Sequence, residues 1–126
     1  MACHKLHDDV WRVICDYVLA RRGMAAPDEV RTWAEANLDI TPFDGGVFIA
    51  QGNEFDLFVV PERRGRWNIR GQVTKFLRTM GRKHGVIVAK IYDDNFPSLR
   101  LAKHFGFHEV ERDGNLIRLE STSWAA

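Results

Sequence analysis

The chain has 126 residues, 45% hydrophobic and 28% charged, which suits one globular domain built on a single core. No apolar run approaches the roughly 20 residues that a membrane-spanning helix needs. Asp8 and Asp9 stand where a secretory leader would carry a basic end and an apolar stretch, so the expected location is a cytoplasm. Cys3 and Cys15 are too few for a disulfide framework.

The net charge of +1 hides an uneven distribution. Residues 1–60 hold ten acids against five bases, and residues 61–84 hold eight bases against Glu62 alone. The segment 61–84 is therefore a local cation, which attracts anionic partners: cofactor phosphates, nucleic acid or an acidic protein surface. The acidic first half and the few aromatic platforms argue against nucleic acid.

In chain order, Val10, Trp11, Val13, Ile14, Tyr17 and Val18 recur at helical spacing. Asp8 and Asp9 begin that helix and Arg21-Arg22-Gly23 end it, in keeping with its dipole. A second helix is predicted from Pro27 to about Asn37, with Val30, Trp33 and Ala34 on its inner stripe. Residues 47–50 and 55–60 read as strands joined by a turn at 51–54, a hairpin. Pro61 stops the second strand, and a charged loop leads to a helix over about 68–83. Ile69, Val73, Phe76, Leu77 and Met80 line one face of that helix and most of its bases the other. Residues 86–92 form a near-continuous apolar run, predicted as a central strand covered on both faces. An Asn95-led helix ends at Gly106. Strands at 107–110 and 116–119, a turn at 112–115 and a short tail from Glu120 complete the chain. The order predicts one α/β (α+β) domain, residues 1–126: N-terminal helices over 1–44, and a mixed sheet flanked by helices over 45–120.

Several residues are chemically suggestive on their own. Cys3, His4 and His7 have no second ligand cluster, so no metal site is expected. Cys15 lies on the apolar helix face and reads as packing. His104 and His108 flank Gly106, where a surface histidine at a helix end is the commoner case. Trp11 and Trp33 read as core.

Residues 55–119 resemble the core of the GNAT superfamily of N-acetyltransferases. Val60-Pro61-Glu62-Arg63-Arg64-Gly65 is similar to that family's Val-x-Pro-x-x-Arg-Gly entrance to a phosphate loop. The spacing from Asn95 to Gly106-Phe107 is similar to its Asn-led helix, and His108-Glu109-Val110 before a hairpin also fits. The resemblance implies a GNAT-like mixed sheet, with acetyl-CoA as cofactor if the protein is active. Its pyrophosphate would lie on backbone N–H groups at the start of the third helix. The implied cofactor positions are Val59, Val60, Arg64, Gly65, Arg66, Arg70, Gly71 and Asn95. Backbone N–H groups near Val59 would polarise the thioester carbonyl. Glu54 and Asp56, on the strand before the loop, are the implied general-base candidates, and Tyr92 is the tyrosine nearest to the role of an acid.

The sequence departs from the family twice. After Gly65 the family has alternate glycines, whereas this chain reads Arg66-Trp67-Asn68-Ile69-Arg70-Gly71. Trp67 and Arg70 would crowd a pyrophosphate, although Arg70 could also pair with one. Four residues before Gly106, where many family members have a tyrosine to protonate the leaving thiolate, this chain has Ala102. With residues 66–78 and its length, the chain resembles degenerate GNAT-like virion or head-assembly proteins of short-tailed bacteriophages. That resemblance implies a non-catalytic assembly protein, in a host cytoplasm or a virion, partnered by other virion proteins. The alternative is an active N-acyltransferase acting on an amine of a small molecule or protein.

Overall fold

The computed structural model describes residues 6–23, 28–61 and 69–125. Four helices and six strands follow in the order α1 (Asp8–Arg22), α2 (Asp28–Asn37), β1 (Asp39–Phe43), β2 (Gly46–Gln51), β3 (Glu54–Val59), α3 (Ile69–His84), β4 (Ile87–Tyr92), α4 (Phe96–His104), β5 (His108–Asp113) and β6 (Leu116–Ser121). The strands form one mixed sheet, as the element order predicts, and they lie in the order β1-β2-β3-β4-β6-β5. β3 and β4 are parallel with Glu54 opposite Val88, the expected product of a strand–helix–strand unit. β1–β2, β4–β6 and β5–β6 are antiparallel.

The chain divides into two compact units, the first holding residues 1–51 and 57–68 and the second 52–56 and 69–126. In the first unit Val10 and Ile14 of α1 are buried with Leu6, Ile40, Val47 and Val60. α1 ends where Gly23 takes a left-handed φ of 72° and caps Leu19, as the Arg-Arg-Gly signal predicts. Two neighbouring glycines shape the β1–β2 turn for different reasons. Gly45 has φ 86°, whereas a Cβ on Gly46 would lie 2.5 Å from the Phe43 ring and 2.6 Å from the Phe58 carbonyl.

Two expectations fail in this unit. β1 occupies residues read as the end of the helical half; it tolerates Pro42 because it is the edge strand of the sheet. Trp33 is 53% exposed and Val30 44% exposed, so they do not form the inner stripe of α2. The inward residues are Ala34, Arg31 and Glu35. Glu35 accepts the Leu6 N–H at 2.7 Å, and Arg31 donates to the Leu6 carbonyl and pairs with Asp8 at 2.9 Å. Satisfying the backbone at the start of α1 turns the polar side of α2 inward.

In the second unit Val73, Leu77 and Met80 of α3 are buried, as are Ile87, Val88 and Ala89 of β4 and Ile117 and Leu119 of β6. Arg70, Lys75, Arg78, Arg82 and Lys83 are all exposed, as the amphipathic pattern predicts. β4 is covered on both faces only in its first half, because Lys90 is exposed. The last hairpin turns on Gly114-Asn115 alone, with Gly114 at φ 60°. The segment after Glu120 is not a loose tail: Ser121 is fully buried and Trp124 donates its indole N–H to the Phe105 carbonyl at 3.0 Å.

Candidate functional site

Strand alternation sorts the residues of β3. Phe55 faces α3, with its ring 5.2 Å from Phe76 and 6.1 Å from Phe107. Glu54 and Asp56 therefore point to the opposite face. On β4 the same alternation sets Val88, Lys90 and Tyr92 on one face, and Lys90 reaches across to Glu54 at 3.4 Å. Two acids and a lysine thus share one side of the parallel strand pair.

Their environments separate the two acids. The Glu54–Lys90 pair is open to water, with both side chains about two-fifths exposed, and contributes little to stability. Asp56 is exposed on the strand, yet the protein around its carboxyl displaces enough water to push its pKa up to about 6. Burial is the main cause; the Glu54 charge adds to the rise and the Lys90 charge opposes it. A carboxyl near neutrality can accept and return a proton, as general-base chemistry requires.

The implied cofactor residues fare differently. Arg64, Gly65 and Arg66 lie outside the described residues, as do Arg63 and Trp67. Val60 is buried, and its N–H is committed to the Gly45 carbonyl at 2.8 Å. Arg70 is exposed in the first turn of α3, and Gly71 follows it inside the helix rather than in the loop. A Cβ on Gly71 would meet nothing within 4 Å among the described residues. Asn95 is the N-cap of α4, its side chain accepting the Ser98 N–H at 3.4 Å, which gives it a structural duty. Tyr92 is half-buried, and Ala102 is half-buried within α4 and carries no hydroxyl.

The remaining candidates are plainer. Cys15 is half-buried and its thiol is pushed up, chiefly by burial and then by Asp16 and Asp28, which makes it a poor nucleophile. His104 is exposed and stands edge-on to Phe105, and His108 is exposed on β5. No metal-binding group of three His, Cys, Asp or Glu occurs among the described residues, and Cys3 and His4 lie outside them. No described helix is long and apolar enough to cross a membrane. Sequence reasoning missed Lys90; its signal was a charge breaking an otherwise apolar run.

No protein-family model matches the sequence, and no curated protein does. Solved structures are similar over nearly the whole chain. PH1933 from Pyrococcus horikoshii OT3 is 17% identical with a TM-score of 0.68, covering 96% of this chain and 95% of its own. A ribosomal-protein-alanine N-acetyltransferase from Brucella melitensis is 16% identical with a TM-score of 0.68, covering 87% and 90%. The yncA protein of Salmonella typhimurium, a putative acetyltransferase solved with its cofactor acetyl-CoA, is 16% identical with a TM-score of 0.64, covering 90% and 87%. The chain thus has a GNAT-like fold, a mixed six-stranded sheet flanked by helices, as the resemblance implied.

Proposed function

We propose that this protein keeps the GNAT-like fold but has a degenerate acetyl-CoA site, and serves as a non-catalytic virion-associated or assembly protein of a short-tailed bacteriophage. The observation that carries this reading is the loss of the loop's alternate glycines: after Gly65 the next glycine is Gly71, already in the first turn of α3. A pyrophosphate needs small residues where backbone N–H groups approach it from the loop, and the sequence between Gly65 and Gly71 supplies none. Two further facts support it. The Val60 N–H is already bonded to Gly45, and Ala102 offers no proton to a leaving thiolate. The phage connection is supported by the sequence resemblance of residues 66–78.

A second reading has its own observation. Asp56 shares one side of the β3–β4 pair with Glu54 and Lys90, and a pKa pushed up to about 6 suits a general base there. In that reading the protein is an N-acyltransferase: acetyl-CoA supplies the activated acyl group and Asp56 takes the proton of the attacking amine. One experiment separates the two readings. Titration calorimetry with acetyl-CoA is followed by a turnover assay on simple amines and peptides. We expect weak or no binding and no turnover; micromolar binding with turnover would overturn the assembly reading.

A further inference from the structure

β5 closes the sheet on one side, and all six of its residues, His108–Asp113, are exposed. An edge strand presents a row of unpaired backbone N–H and C=O groups that another strand can match. Charged residues usually prevent this, but the charges on β5 have an order. The pairing with β6 assigns their faces. His108, Glu111 and Asp113 lie opposite Glu120, Arg118 and Leu116, and so share one face. Glu109 and Arg112 lie opposite Leu119 and Ile117, on the other.

The alternation slips between Glu109 and Glu111, where the register shifts and Val110 is the extra residue. Because of that slip, the sequence of faces reads the same from either end of the strand. Without it, His108 and Asp113 would be five residues apart and on opposite faces. With it, a two-fold axis through the Val110–Glu111 step brings like faces together.

We propose that β5 pairs antiparallel with β5 of a second copy about this axis, joining two sheets into one. The register sets Glu109 opposite Arg112 of the second copy and His108 opposite Asp113 of the second copy, each twice. Sliding by one residue in either direction sets Glu109 opposite Glu111 or Asp113, residues of the other face, so the neighbouring registers lose both the matching faces and the Glu109–Arg112 pairs. Val110, 44% exposed and the one large apolar residue on the edge, falls beside the axis and is covered. In the single chain Arg112 bonds its own Glu109 at 3.0 Å and lies 3.7 Å from Asp93. These pairs are open to water, so exchanging an internal partner for an external one costs little. The backbone ladder supplies the affinity and the charges the register. A two-fold contact closes on itself and yields dimers, not fibres.

Sedimentation of the full chain from micromolar to millimolar concentration tests the proposal. The expected result is a concentration-dependent doubling of mass. Arg112→Glu sets acids against acids and should abolish the dimer while leaving the far-UV circular dichroism unchanged. Glu109→Arg combined with Arg112→Glu reverses both members of each pair and should restore the dimer. A wild-type chain that stays monomeric overturns the idea, as does a dimer indifferent to Arg112→Glu or a species that grows beyond a dimer. Should Arg112→Glu fail to fold, the double variant decides: a dimer supports the pairing and a folded monomer refutes it. The acetyl-CoA titration and this measurement are independent, since β5 carries none of the implied cofactor residues.

Discussion

Asp56 shows how one carboxyl can couple folding to pH. Its pKa in the folded chain lies above the ordinary value of 3.8, so the folded state holds the proton more tightly than the unfolded state. The group therefore favours folding at low pH, and that contribution is lost as pH rises from near 4 through about 6. Asp56→Asn should remove this dependence. The variant is expected to match the parent in thermal midpoint below about pH 4 and to exceed it at pH 7. Identical pH slopes for the two proteins would show that Asp56 is not perturbed. Gly71 offers a second test at this scale. It sits exposed in the first turn of α3 with open space where a methyl group would stand, so Gly71→Ala should raise stability by about 0.5–1 kcal/mol. If the same change instead abolished acetyl-CoA binding, Gly71 would belong to a working phosphate site.

Among the elements, α3 is fastened by a contact that its periodicity does not announce. A Cβ on Gly81 would lie 2.1 Å from the Trp124 carbonyl oxygen and 2.4 Å from its carbon, so the C-terminal segment crosses the helix at backbone distance. Gly81→Ala should destabilise by about 1–3 kcal/mol, because backbone atoms must move and the helical gain from alanine is smaller. Thermal melting followed by tryptophan fluorescence would register the shift; an unchanged or higher midpoint would refute the docking. The helices and the parallel β3–β4 pair were legible in the sequence because apolar periodicity and caps report burial directly. β1 was not, since Pro42 argues against a strand until its edge position is known. The inward turn of α2 depends on Arg31 and Glu35 bonding Leu6, a contact across 25 and 29 residues that no local pattern contains. Glu54 and Asp56 were legible as acids before the loop, but the rise at Asp56 depends on crowding around the folded strand.

At the scale of the whole molecule, net charge is a poor guide to behaviour. α1 and α2 begin with Asp8, Asp9, Asp28 and Glu29, whereas α3 presents Arg70, Lys75, Arg78, Arg82 and Lys83 to solvent without an acid on the helix. A polyanion approaching α3 meets five like charges within one 16-residue helix. At distances shorter than the Debye length it responds to that helix, not to the sum of +1. The protein should therefore be retained on an immobilised polyanion more strongly than its net charge suggests. Raising salt from about 0.05 to 0.2 M should release it, because each neutralised charge returns a counterion. Arg78→Glu together with Arg82→Glu should shorten retention markedly at low salt and leave folding intact, as both side chains are exposed. An equal pair of reversals at Arg100 and Arg118, away from α3, should have a smaller effect. Retention that ignored the α3 reversals would mean that the helix face is merely solvated and that anionic partners bind elsewhere.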